Sequence, residues 1–184
     1  MQHQTNFDLL HNIHPGKHLY QFYKHAVDFM QVMVPYFQAG LAEKNTACLW
    51  VVSETIGIDH ARAVAEALIP EFTPSLASGR FLLCQAEAWY LADGRFDEER
   101  ALRNAAQHLA EIQEAGYRWL RIAGDTGAVD RSDWEKFRRY ERTVSSWIKQ
   151  KPATALCAYP ILSCTPSQTR DVLECHDDVL VGHL

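Results

Sequence analysis

A chain of 184 residues that is 47% hydrophobic and 22% charged has the size and mixture of one folded domain with a substantial core. Its formal net charge of -5 argues against a general nucleic-acid binder, which needs a basic face. No run of about 18 apolar residues occurs, so no membrane span is expected, and the opening MQHQTNFDLLHNIH lacks the basic and apolar regions of a secretion signal, so a cytoplasmic location is expected.

In chain order, residues 1–13 read as a leader and residues 14–184 as the domain. HLYQFY, His18 to Tyr23, reads as a strand. A helix follows over about Ala26–Gly40, with Ala26, Phe29, Met30, Met33 and Phe37 at helical spacing and a kink expected at Pro35. TACLWVVS, Thr46 to Ser53, is a continuous apolar run, as in a strand buried on both faces. A helix over Ile58–Leu68, a loop with at most one helical turn over Pro70–Gly79, and a strand over Arg80–Gln85 come next.

AEAWYLADGRFDEE reads as a long connection ending at an N-cap, Asp97, with Glu98 and Glu99 in the first helical turn. Leu102, Ala105, Leu109 and Ile112 give that helix its buried face, and Gly116 stops it. A strand over Tyr117–Ala123 ends in Gly124-Asp125. Ser132 and Glu135 read as a capping box for a helix bearing Trp134, Phe137, Tyr140, Val144 and Trp147. A strand over Ala153–Tyr159, a short helix opened by Thr165, Pro166 and Gln168 and ending near Cys175, and a closing strand over Asp178–Val181 complete the chain. Strands and helices in alternation predict an α/β three-layer sandwich with a mostly parallel central sheet.

The stretch Arg131–Lys151 holds seven basic residues against three acidic ones and reads as a solvated helix face. Cys48, Cys84 and Cys157 lie in apolar strand-like runs and Cys164 and Cys175 outside them. With no CxxC pair among the five, they read as thiols in a reducing compartment rather than disulfides or a thiolate zinc site.

The stretch His11–Phe29 poses the sharpest question, because it holds a Gly-Lys pair and four histidines. Gly16-Lys17 is not a phosphate loop. His11 stands where the first glycine belongs, His18 stands where Ser or Thr belongs, and the pair precedes its strand. The strand-to-helix turn itself, Phe22-Tyr23-Lys24-His25-Ala26, has no glycine to let backbone amides wrap a phosphate. His14 precedes Pro15, which disfavours helix there, so His11, His14, His18 and His25 do not form a one-face helical pair, and no metal site and no cofactor are expected.

In folds of this class ligands bind beyond the carboxyl ends of the strands. That rule selects Tyr23–His25, Ser53–Thr55, Gln85–Tyr90, Gly124–Thr126 and Tyr159. Asp125 would either orient a polar ligand group or accept turn N–H bonds. Glu54 reads as a base or a surface acid. Glu87 lies with Trp89 and Tyr90 on the connection; the two rings would either close over an apolar ligand or pack on the sheet edge. No nucleophile signature is present, so no catalytic residue is assigned and an enzyme is not expected.

Six segments together resemble a known family: His18–Tyr23, Val34-Pro35-Tyr36-Phe37-Gln38-Ala39-Gly40-Leu41, Ala92-Asp93-Gly94-Arg95-Phe96-Asp97, Arg121-Ile122-Ala123-Gly124-Asp125, Ala155-Leu156-Cys157-Ala158-Tyr159 and His176-Asp177-Asp178-Val179-Leu180-Val181. In this order they resemble the MEDS domain, the methanogen/methylotroph DcmR sensory domain, over about residues 14 to 183. The resemblance implies a RecA/KaiC-type ATPase core that has lost its phosphate loop and senses small molecules such as hydrocarbon derivatives. Tyr23 and His25 then stand at the vacated phosphate-loop position, lining or plugging it, and His18 within the first motif fixes the strand end or meets the ligand.

The expected function is a non-enzymatic small-molecule sensory domain. Its candidate ligand residues are His18, Tyr23, His25, Glu54, Glu87, Tyr90, Asp125 and Tyr159. Its state would pass to a signalling partner such as a kinase or transcriptional regulator, or through a homodimer. The rivals are a ligand-free protein interaction module using the helix of Ser132 to Ile148, and a nucleotide-dependent hydrolase using Asp125 and Glu54.

Overall fold

The computed structural model describes residue 10 and residues 13–181; apart from Leu10 and Ile13, the leader lies outside the described residues, as does His11. Six strands form one sheet in the order β3-β2-β6-β7-β1-β8. These are β1 (His18–Tyr23), β2 (Thr46–Val52), β3 (Phe81–Gln85), β6 (Trp119–Asp125), β7 (Ala153–Pro160) and β8 (Asp178–Val179). Every neighbouring pair in this sheet is parallel. Two further strands, β4 (Leu91–Ala92) and β5 (Arg95–Phe96), pair only with each other. The α/β class and the mostly parallel sheet match the alternation read from the sequence.

Seven α-helices among the described residues cover the sheet: α1 (Ala26–Ala42), α2 (Ile58–Leu68), α3 (Phe72–Ala77), α4 (Ala86–Tyr90), α5 (Glu98–Glu114), α6 (Trp134–Ile148) and α7 (Pro166–Cys175). One apolar layer holds residues of α1, α2 and α3, and the other holds residues of α4, α5, α6 and α7. All seven residues of β2 are buried because the strand faces both layers. In β1, Leu19 and Tyr23 enter the first layer while Tyr20 and Phe22 pack with the second. This period of two decides where the functional side chains point.

Local signals explain most boundaries. Asp97 accepts the Arg100 backbone N–H at 2.9 Å and opens α5. Thr165 and Gln168 form a reciprocal capping box at α7. Gly116 follows α5 with φ 92°, a left-handed stop.

Four expectations change. The Ser132/Glu135 capping box does not form. Asp130 takes the Ser132 backbone N–H at 2.7 Å and its hydroxyl at 2.6 Å, closing a short 3-10 turn before α6. The nearer carboxylate wins the serine, and Glu135 pairs with Arg138 at 2.8 Å instead. The long connection is not structureless: it contains α4 and the β4–β5 hairpin, whose two-residue loop Asp93-Gly94 has φ of 51° and 72°. Positive φ at both loop positions matches the right-handed twist of the strands, and Asp-Gly is a favoured pair for it. Finally, α1 ends at Ala42 rather than about Gly40, and β8 is two residues rather than four.

Candidate functional site

At the carboxyl end of the sheet, β1, β2 and β6 bring Tyr23, Ser53 and Asp125 together. The Tyr23 hydroxyl donates to Asp125 Oδ1 at 2.7 Å, and the Gly127 backbone N–H donates to the same oxygen at 3.0 Å. Asp125 Oδ2 accepts the Ser53 backbone N–H at 3.2 Å and the Ser53 hydroxyl. All three side chains are buried, Asp125 completely. Burial pushes the Asp125 carboxyl above its ordinary range, against the opposing pull of the Ser53 and Tyr23 hydroxyls and the two backbone N–H groups. Burial, then the Asp125 charge and hydrogen bond, raise the Tyr23 phenol. The arrangement is a closed knot of hydrogen bonds.

Glu54 and Glu87 lie beside this knot. Glu54 is exposed, and its backbone N–H donates to Glu87 Oε1 at 3.0 Å. His25 is exposed at the start of α1, where the Asp28 carboxylate accepts the Lys24 and His25 backbone N–H groups at 3.1 and 3.0 Å.

The other candidates point elsewhere. His18 opens β1 and faces the opposite layer from Tyr23, as strand alternation requires. It meets Glu141 of α6, Cys157 of β7 and His176 just after α7. His18 Nε2 is 3.3 Å from Glu141 Oε2 and 3.4 Å from Cys157 Sγ, and His176 Nε2 is 3.2 Å from the same Glu141 oxygen. Tyr159 joins this second cluster, its hydroxyl 3.5 Å from His176 Nε2. Burial pushes the Glu141 carboxyl up, but the adjacent His176 and His18, where their rings carry charge, more than reverse that and hold it down at about 2. Burial, then the charge of Glu141, raises the Cys157 thiol well above its ordinary value.

Tyr90 belongs to neither cluster. Its ring packs among Phe96, Phe137 and Tyr140, and a Cβ added at Gly124 would lie 2.2 Å from its hydroxyl. Only a glycine in β6 lets this phenol approach the sheet. Trp89 and Tyr90 line a cavity of about 30 Å³ whose other walls include Leu102, Ile122, Val144 and Cys157. The walls are overwhelmingly apolar.

Beyond this geometry, the MEDS family model, described as the methanogen/methylotroph DcmR sensory domain, matches residues 17–177. The chain belongs to the MEDS family. The match spans both clusters and every strand of the sheet except β8, and a MEDS domain is a sensory domain, so the role is sensory or signalling. No curated protein sequence matches the chain. No helix among the described residues of this MEDS domain is long and apolar enough to cross a membrane.

Within the MEDS domain, then, the eight candidates divide. Tyr23 and Asp125 meet directly, Glu54 and Glu87 adjoin them, and His18 and Tyr159 form part of a separate buried cluster. Sequence reasoning passed over Gly127, Glu141, Cys157 and His176, and placed Ser53 at the carboxyl edge without giving it a role. Glu141 was detectable: it shares a helical stripe with Phe137, Val144 and Ile148, which makes it an acid on the apolar face.

Proposed function

We propose that this domain is a non-enzymatic small-molecule sensor whose ligand enters the apolar cavity lined by Trp89 and Tyr90. The observation that carries the reading is the cavity itself, lined by two rings on a short helix and walled by side chains of α5, α6, β6 and β7. Ligand pockets are concave and mostly apolar, with few polar groups. A space of about 30 Å³ admits a molecule of a few heavy atoms. A larger ligand would displace Trp89 and Tyr90, and with them the β4–β5 hairpin that follows. Movement of that hairpin is the signal, read by a partner protein such as a kinase or transcriptional regulator, or by a second copy of the chain. The described cysteines are all free, which fits a cytoplasmic setting.

The test is native mass spectrometry of the untagged full chain, followed by thermal-shift titration with one- to three-carbon alcohols and haloalkanes. Stabilisation is expected in the native chain and is lost in Ala105→Leu, which fills the cavity. Equal stabilisation of both proteins would sink the assignment of the site.

A ligand-free interaction module is favoured by one observation: the cleft expected around Tyr23 and Asp125 is filled by those side chains themselves. A bare polypeptide mass with no thermal shift from any probe would select it. A nucleotide-dependent hydrolase using Asp125 and Glu54 has less support, since both Asp125 oxygens already accept protein donors. Magnesium-dependent nucleotide turnover abolished in Asp125→Ala would revive it.

A further inference from the structure

The cluster of His18, Glu141, Cys157 and His176 is unusual in its protons. One ligand-type atom from each residue lies within 4.8 Å of all the others. His176 Nδ1 sits 2.7 Å from the Val172 carbonyl, which can only accept, so this nitrogen carries a proton, and Nε2 presents a lone pair when the ring is neutral. His18 Nδ1 lies 2.8 Å from the Ser145 hydroxyl, which itself donates to the Cys175 carbonyl at 2.5 Å. Ser145 therefore accepts from His18 Nδ1–H, and His18 Nε2 also turns a lone pair inward. Both meet Glu141 Oε2, an acceptor, and neither Glu141 oxygen has an aligned hydrogen-bond donor.

Among the described residues, the only donors near these lone pairs are weak or long, the Cys157 thiol 3.4 Å from His18 Nε2 and the Tyr159 hydroxyl 3.5 Å from His176 Nε2, so a positive charge is better suited to the site. Protonating both rings would place two cations with ring centroids 4.0 Å apart against a single carboxylate. A divalent cation resolves the same geometry without that repulsion. With Glu141 ionised and Cys157 as its thiolate, the formal charge of the filled site is zero.

The spacing fits. Zinc bonds of about 2.0–2.3 Å in a tetrahedron put neighbouring ligand atoms roughly 3.3–3.6 Å apart. The 3.2, 3.3 and 3.4 Å separations of three pairs fall close to that range, and every pair lies within 4.8 Å. Both histidines also have the outer hydrogen bond that fixes a metal-binding imidazole, to the Val172 carbonyl and to Ser145. A mixed nitrogen, sulfur and oxygen set suits zinc or cobalt better than magnesium or calcium.

We propose that His18, Glu141, Cys157 and His176 form a closed, four-ligand site for a divalent metal of the zinc class. The metal ties the segment after α7 to β1, α6 and β7. The ligands come from four elements distant in sequence, so no spacing motif marks them.

The experiment uses the full chain, stripped with chelator, checked for folding by circular dichroism, and refilled with Zn²⁺ or Co²⁺. Stoichiometric zinc by elemental analysis is expected, together with a cobalt spectrum showing tetrahedral d–d bands and a thiolate charge-transfer band. Cys157→Ser should lose the charge-transfer band, and Glu141→Gln or His176→Ala should weaken zinc binding by roughly 100-fold or more. Ser145→Ala touches no ligand atom and should weaken it by about 10-fold, which serves if a ligand variant fails to fold. A folded native chain that takes up no zinc, a cobalt spectrum without thiolate character, or uptake indifferent to all these variants would overturn the proposal and leave an internal ion-pair cluster.

Discussion

Asp125 and Glu141 are both buried acids, yet they are solved in opposite ways. Asp125 is wrapped by neutral donors from Tyr23, Ser53 and Gly127, while Glu141 faces two imidazoles with no aligned donor on either oxygen. Burial lifts the affinity of Asp125 for its proton, whereas charged histidine rings depress that of Glu141. A knot of neutral hydrogen bonds can hold a fold without any further species. An acid among ring nitrogens is a place where charge has to be supplied, and that difference separates scaffold from chemistry in this domain.

The comparison breaks most easily at Asp125. Asp125→Ala orphans the Tyr23 hydroxyl and the Ser53 N–H, and should destabilise the fold by roughly 3 kcal/mol. Urea unfolding with an unchanged slope measures it; a loss under about 0.5 kcal/mol would mean water replaces the carboxylate.

The two acids should next show opposite pH slopes. Glu141 has a folded pKa below its ordinary 4.5, so its contribution is complete above 4.5 and is lost as pH falls towards about 2. Asp125 has a raised pKa, so its contribution is complete below 3.8 and is lost as pH rises through the folded value. Stability measured from pH 2 to 7 should therefore lose its acid-side fall in part in Glu141→Gln, and lose an opposing component in Asp125→Asn. Identical slope changes would erase the distinction.

Gly124→Ala forces a methyl into the position held by the Tyr90 hydroxyl and should cost about 1–3 kcal/mol, while also reshaping the cavity wall. Thermal unfolding, with ligand titration alongside, separates the two effects. The smallest effect belongs to Thr165→Ala, which removes the α7 cap and should cost about 1 kcal/mol without altering either acid. Its pH profile serves as the baseline.

The sheet was legible because the signals are local. TACLWVV suits a doubly buried strand, and Asp97, Gly116 and Thr165 mark helix ends through their own backbone chemistry. The β4–β5 hairpin was missed although Asp93-Gly94 is its signature, because strands of two residues leave no periodicity to detect. The meeting of Tyr23 with Asp125 followed from topology, since parallel strands end at one edge. The Glu141 cluster was not legible. Its histidines belong to β1 and to the segment after α7, and only the three-dimensional pairing of β1 beside both β7 and β8 joins them.

That pairing has a consequence for synthesis. His18 aligns with Ala155 and Leu19 with Asp178, so the earliest of this sheet's strands in the chain is seated between its last two. At about 5–20 residues per second, β1 waits on the order of ten seconds for its neighbours. Throughout that interval the aromatic strand HLYQFY has no partner along either edge, a target for chaperones and for other nascent chains. The sheet closes only when its beginning finds its end.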